Sequence, residues 1–302
     1  MEHVTKFENA IILEKTIIYI IRNNNIYINT FFCEVINLIE KSFDDGPKNQ
    51  GEYNFRELLS MFFSDSNCIS DEEEIISGFI VLLNMIGSIE EDIDSDKLVE
   101  YPVLWLSYKL NQKKENRTTR LDDFHTGNIK GNDCYNSHIA ADSGSGKKIY
   151  MDIIDSKIRS MDIDIKDMSK FYDAFKSLCN MYSEIGAKNY QCNKCLENAG
   201  EFFEKCEKVK NAFDIDKGSS YLQLWSSLSN DYNIFKQEYS GKCNSISQLV
   251  ACPRSSLTQN TLITIAIIFV AASILLGVSY KYSLFGFRKR SQKQHLREML
   301  KK

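Results

Sequence analysis

Three prolines and 14 glycines are the only strong chain breakers in 302 residues. The prolines, Pro47, Pro102 and Pro253, lie far apart. A meander of short strands would need a turn roughly every ten residues, so this scarcity argues against strands and favours helices. Histidine is as sparse, and His3, His125, His138 and His295 are scattered. No nucleophile elbow, HExxH or paired-acid motif accompanies them, which leaves catalysis without a footing. The chain reads as a non-enzyme that calls for no cofactor. DSGSGKK at Asp142–Lys148 departs from a phosphate loop: Ala141 stands where the first Gly belongs, and Lys148 replaces the hydroxyl that would hold Mg²⁺. It reads as a flexible loop. An orthodox signal peptide is also missing. AIILEKTIIYII at Ala10–Ile21 is broken by Glu14 and Lys15 and has no small-residue cleavage site after it. It fits an amphipathic helix better, with Phe7, Ile11, Ile18 and Ile21 on one side.

One absence is positively informative. From Ser255 to Tyr280, 26 residues carry no Asp, Glu, Lys, Arg or His. The apolar centre, Leu262 to Tyr280, would extend about 28 Å as a helix, close to the hydrocarbon thickness of a bilayer. Soluble core helices seldom run this long without a charge, and lipid offers a free backbone amide no partner. The segment is read as a transmembrane helix over 261–280. Its flanks differ. Arg254 is the nearest charge on the amino side, whereas Lys281, Arg288, Lys289, Arg290, Lys293, Arg297, Lys301 and Lys302 follow the span. The positive-inside rule places residues 281–302 in the cytosol as a basic tail and the preceding 250 residues on the other side. Anionic lipid headgroups suit this tail, at about 1 kcal/mol per basic residue near the surface. Beside a membrane span, nucleic acid is not the expected partner. The net charge of −4 conceals the division. Removing the tail's eight basic residues and one acid from 37 and 41 leaves residues 1–280 with 29 and 40.

Upstream of a short stalk at 251–260, residues 1–250 show repeated helical periodicity. Ile75, Phe79, Leu82 and Ile86 form one set, and acids crowd the start of that segment where the helix dipole favours them. Leu98, Tyr101, Trp105 and Tyr108 form a second, with Pro102 taken to lie in a tolerant first turn. Three more sets follow: Phe171, Phe175, Leu178, Tyr182 and Ile185; Ala199, Phe203, Cys206, Val209 and Phe213; Leu222, Trp225, Leu228, Tyr232, Phe235 and Tyr239. Aromatic stripes at this spacing are core. The prediction is an all-α helical-bundle ectodomain, divided near 111–148 by a long polar loop with room for a short helix. Asn116-Arg-Thr118 in that loop is a glycosylation sequon. Ser273 and Gly277 form a small-xxx-small pair in the span, which leaves the oligomeric state open.

Nine cysteines, Cys33, Cys68, Cys134, Cys179, Cys192, Cys195, Cys206, Cys243 and Cys252, all lie on the side placed outside the cytosol. CNKC at 192–195 has the spacing of half a zinc site or a redox pair, but no second pair matches it and no buried strand precedes it. Disulfides fit best. The odd count leaves at least one thiol free or paired between chains, and connectivity is open.

With these features in view, the chain resembles the Plasmodium interspersed repeat (PIR) proteins of malaria parasites. GVSYKYSLFGFRKRSQKQHLREMLKK at Gly277–Lys302 is similar to that family's tail, and LVEYPVLWLSYKLNQ at Leu98–Gln112 to its central aromatic helix. DMSKFYDAFKSLCNMYSEI, CNKCLENAGEFFEKC and GSSYLQLWSSLSNDYNIFKQEY are also in family style. The first seventy residues fit less closely, and Cys33 and Cys68 take the place of the family's amino-terminal cysteines. The resemblance implies a variable multigene product of the infected red cell, exported or displayed at a membrane. It further implies a part in antigenic variation and recognition of a host receptor or antibody. The rival expectation is a trafficking or structural component inside the vacuole or host-cell cytosol.

Overall fold

The computed structural model describes residues 28–43, 54–63, 66–69, 74–89, 93–113, 118–145, 147–186, 192–212 and 218–242, with the backbone alone at 28, 66–67, 145, 185–186, 192–196 and 238–242. The chain divides into two units, Met1–Cys252 and Pro253–Lys302, and every described residue belongs to the first. Ten α-helices run through the described residues: α1 (Ile28–Ser42), α2 (Phe55–Phe62), α3 (Glu74–Gly87), α4 (Ser95–Gln112), α5 (Leu121–Phe124), α6 (Asp133–His138), α7 (Met151–Ser160), α8 (Ile165–Gly186), α9 (Cys192–Asn211) and α10 (Gly218–Lys242). No strand forms among them; Arg120–Asp164 and Ala140–Tyr150 are isolated bridges. The all-α expectation holds.

Local chemistry sets the helix starts. Asn54 and Glu57 form a capping box on α2: the Glu57 amide donates to Asn54 Oδ1 at 2.8 Å, and the Asn54 amide donates to Glu57 Oε2 at 3.0 Å. Asp94 Oδ1 accepts from the Asp96 amide at the start of α4, and Asn132 Oδ1 from the Tyr135 amide in α6. The start at Ser95 corrects the reading of Pro102. It lies past the first turn, buried inside α4, where it removes one helical hydrogen bond.

α3 is apolar on nearly every side and is enclosed accordingly, with Ile75, Phe79, Leu82 and Ile86 all buried. α8 is the organising helix, packing against α1, α4, α9 and α10, while α4 also meets α3 and α7. Phe175 of α8 stacks on Tyr101 of α4 with ring centroids 3.5 Å apart. The predicted sets on these helices are buried, except that Tyr108 is half-buried and Ile185 lies outside the described side chains. On α9 the buried aromatic is Phe202, with Phe203 half-buried; on α10 Tyr221 and Leu224 go inward and Leu222 is half-buried. Phe213 and Tyr239 lie outside the described side chains.

The segment read as a long loop is a correction too. Residues 118–145 hold α5, a π-helical turn at His125–Ile129 and α6, and they bury Leu121, His125, Ile129, Cys134 and Tyr135. The stretch looks polar because each short helix offers the core only one or two residues. The helix read at Ala10–Ile21, the stalk, the span at 261–280 and the basic tail lie outside the described residues. Among the described residues, no helix is long and apolar enough to cross a membrane.

Candidate functional site

Two disulfides and two buried charge networks join helices that are distant in sequence. Cys33 of α1 is bonded to Cys179 of α8 across 146 residues, with Cα atoms 4.8 Å apart. Cys68, in a 3₁₀ turn before α3, is bonded to Cys134 of α6 across 66 residues, at 5.6 Å. Cross-links closing loops of this size stabilise a domain by on the order of 4 kcal/mol. Ser77 of α3 donates its hydroxyl to the Cys68 carbonyl at 2.7 Å, fixing the 3₁₀ turn beside the second bridge.

The first network centres on Glu40 of α1. Its Oε1 accepts from Trp105 Nε1 at 2.8 Å, Tyr172 Oη at 3.1 Å and Lys109 Nζ at 3.1 Å, and its Oε2 from Lys176 Nζ at 3.0 Å. Three helices therefore meet on one carboxylate. Burial pushes this carboxyl upward, but the Lys109 and Lys176 ammonium groups outweigh it and hold it below the usual range. Lys109 Nζ also stands 4.3 Å from the centroid of the Phe43 ring.

The second network runs from α7 through α4 to α10 and α1. Lys157 Nζ donates to Glu100 Oε2 at 2.9 Å and Asp96 Oδ2 at 2.7 Å. Ser227 donates its hydroxyl to Glu100 Oε1, and Lys97 Nζ reaches Asp231 Oδ2 at 3.0 Å. Asn29 Nδ2 donates to Asp231 Oδ1 at 3.2 Å. Burial pushes the Glu100 carboxyl up, and Lys97, Lys157 and Ser227 reverse the shift to below its usual range. For Asp231 burial prevails over Lys97, and its pKa is pushed up to about 6.

These side chains hold helices together, and their charges are turned toward one another. Among the described residues, no three His, Cys, Asp or Glu side chains are grouped so that they could hold a metal ion. The glycine-rich stretch forms a 3₁₀ turn at Ser143–Ser145, in which the Gly144 amide donates to Asp142 Oδ1 at 2.8 Å. A cavity of about 460 Å³ beside it, lined by Leu83, His138, Lys148 and Ile149 among others, is not lined by any of the network charges.

The candidate cysteines divide accordingly. Cys33, Cys68, Cys134 and Cys179 form the two bridges, and Cys206 is buried and also disulfide-bonded. Cys192 and Cys195 open α9, so Cys195 lies eleven residues before Cys206 on the same helix. That is about 16 Å of helix, against a Cα separation of about 4.4–6.8 Å in a disulfide. Neither can be its partner. Cys243, Cys252 and the tail residues Lys281 to Lys302 lie outside the described residues. The two charge networks were not foreseen from the sequence. Their only signal was basic and acidic residues interrupting apolar faces, a pattern that solvent exposure also produces.

The profile of the family described as Plasmodium variant antigen protein Cir/Yir/Bir matches residues 33–281. The chain belongs to this family of malaria-parasite variant antigens. It is also similar to a solved structure described as a Plasmodium PIR protein ectodomain, with 31% identity, 69% of this chain and 92% of the other covered, and a TM-score of 0.46. None of the curated proteins matches it.

Proposed function

We propose that the chain is a single-span variant antigen of infected red cells, with its helical ectodomain on the non-cytosolic side of the membrane. There its exterior meets host receptors or antibodies, while the span and the basic tail hold it against anionic lipid. The observation that carries this reading is the pair of long-range disulfides, Cys33–Cys179 and Cys68–Cys134. Such bonds form and persist in oxidising compartments and are rare in the cytosol. The family match also runs through the apolar segment to residue 281.

The internal framework suits a role in antigenic variation. Covalent links and buried ion pairs specify the helix arrangement from inside, and substitutions on the solvent side of such a scaffold usually change stability by no more than about 0.5 kcal/mol. The exterior is then free to vary while the fold persists. Protease treatment of intact infected red cells, with separate probes for ectodomain and tail, tests the placement. The expected result is loss of the ectodomain signal with the tail preserved. Survival of both until the cells are permeabilised would overturn surface display and favour a trafficking or structural role inside the host cell.

A further inference from the structure

His125 is a buried titratable group that takes no part in the two networks. His125 opens the π-helical turn His125–Ile129, which continues directly from α5. π-helical turns are rare and occur disproportionately at functional places. Here the turn carries both His125 and Ile129 fully inside, whereas Thr126, Gly127 and Asn128 between them are exposed. Neither ring nitrogen of His125 meets a hydrogen-bond partner among the described residues, and nor does the buried hydroxyl of Tyr135. The Tyr135 ring meets the imidazole edge-on, with centroids 6.1 Å apart.

The charges around the ring are Asp155 and Arg159 of α7, Lys130 at the end of the turn and Asp122 of α5. Asp155 Oδ1 lies 3.5 Å from His125 Nε2, but its Oδ2 already takes Lys130 Nζ at 2.7 Å. A proton on the ring would create a buried cation. Its nearest carboxylate is shared with another cation, and a second N–H would be left with no acceptor. Such a group is costly in the core and soluble outside it. Burial accordingly holds the imidazole below its usual range, with Asp155 pulling the other way.

The surroundings differ in how firmly they are held. α6 is tied by Cys134 to Cys68, and α7 by Lys157 to Glu100 and Asp96. The turn lies between α5 and α6, and its end is held to α7 only through the exposed Lys130 on Asp155, a pair weaker than a covalent bridge or a buried ion pair; its exposed residues give the ring a short way out.

We propose that His125 is an acid-operated latch: when it is protonated the ring leaves the core and the Leu121–Gly131 segment opens, while α6 and α7 stay in place. Opening exposes Leu121 and Ile129, so the acidic form presents an apolar patch that the neutral form conceals.

Hydrogen exchange on the full chain in detergent micelles, at about pH 7.4 and about pH 5.5 and corrected for intrinsic rates, tests this. The wild type is expected to exchange faster in peptides spanning 121–131 at the lower pH. Once the pH is below 6.5, the gain should be roughly tenfold for each further pH unit. Peptides from α8 should not change. In His125→Phe the acceleration should disappear. No acceleration in the wild type, or equal acceleration in the variant, would overturn the proposal. Should His125→Phe not reach wild-type protection at neutral pH, the imidazole C2-proton titration of the wild type decides. A midpoint below 6.5 that coincides with opening supports the latch, and an ordinary midpoint without opening removes it.

Discussion

Gly78 lies where the Trp105 ring closes over α3. A Cβ there would stand 2.7 Å from Trp105 Cη2 and 3.2 Å from Phe55 Cζ. The indole cannot swing aside freely, because its N–H is held by Glu40 at 2.8 Å. Gly78→Ala gains about 1 kcal/mol of helix propensity, but overpacking costs about 1–3 kcal/mol, so a net loss is expected. A lower denaturant midpoint at unchanged m-value checks it. Asp231 makes a pH-dependent prediction. Its pKa rises from 3.8 to about 6 on folding, so the folded chain binds the proton more readily. The resulting stabilisation is complete below about pH 3.8 and is lost as the pH rises through 6, a change of about 3 kcal/mol. Stability of the wild type minus that of Asp231→Asn, measured by denaturant titration, should fall by about 2 kcal/mol between pH 4 and 6 and by nearly the full amount between pH 3 and 7. Glu40 and Glu100 have the opposite sign. Their folded pKa values are depressed, so their contribution is present above the ordinary 4.5 and lost as the pH falls below it. His125 also destabilises on acidification, starting below 6.5. The variant difference therefore isolates Asp231 where the raw pH profile does not.

The helices depend on their cross-links in a way that can be measured. Replacing Cys33 and Cys179 together with alanine should cost about 2–5 kcal/mol and speed amide exchange in α1 more than in α3, which carries neither cysteine. Cys206 cannot reach Cys192 or Cys195 along α9, and four other cysteines are already paired. Non-reducing peptide mapping should therefore link it to Cys243 or Cys252. A Cys206–Cys195 peptide would mean that α9 is not continuous. The long helices α3, α4, α8, α9 and α10 were legible because each repeats an apolar or aromatic residue over several turns. Which neighbour faces inward was less legible. In Phe202-Phe203 and Tyr221-Leu222 both residues are apolar, and a shift of one position fits nearly the same period. α1 and α7 escaped for another reason. Lys157 in MDIIDSKIRS looks like a solvent residue, yet it is 1% exposed because Glu100 and Asp96 come from α4 to meet it. Pairing across 57 residues leaves no local pattern. The segments α5 and α6 are too short for any period to accumulate, so their burial shows only in three dimensions.

For the molecule as a whole, the proposed topology is an oxidised helical domain outside the cytosol, joined by an apolar segment to a basic cytosolic tail. The charge division supports it from one end of the chain and the disulfides from the other. If the domain lay in a reducing compartment, Cys33, Cys68, Cys134 and Cys179 would be buried thiols, and α1 and α6 would be held by packing and ion pairs alone. The most direct test is to alkylate infected cells before lysis and map the linked peptides of the full-length protein without reduction. The expected result is Cys33–Cys179 and Cys68–Cys134 as disulfide-linked peptides in the bulk of the protein. Recovery of all four as alkylated free thiols would contradict it, because the domain would then lie in the cytosol.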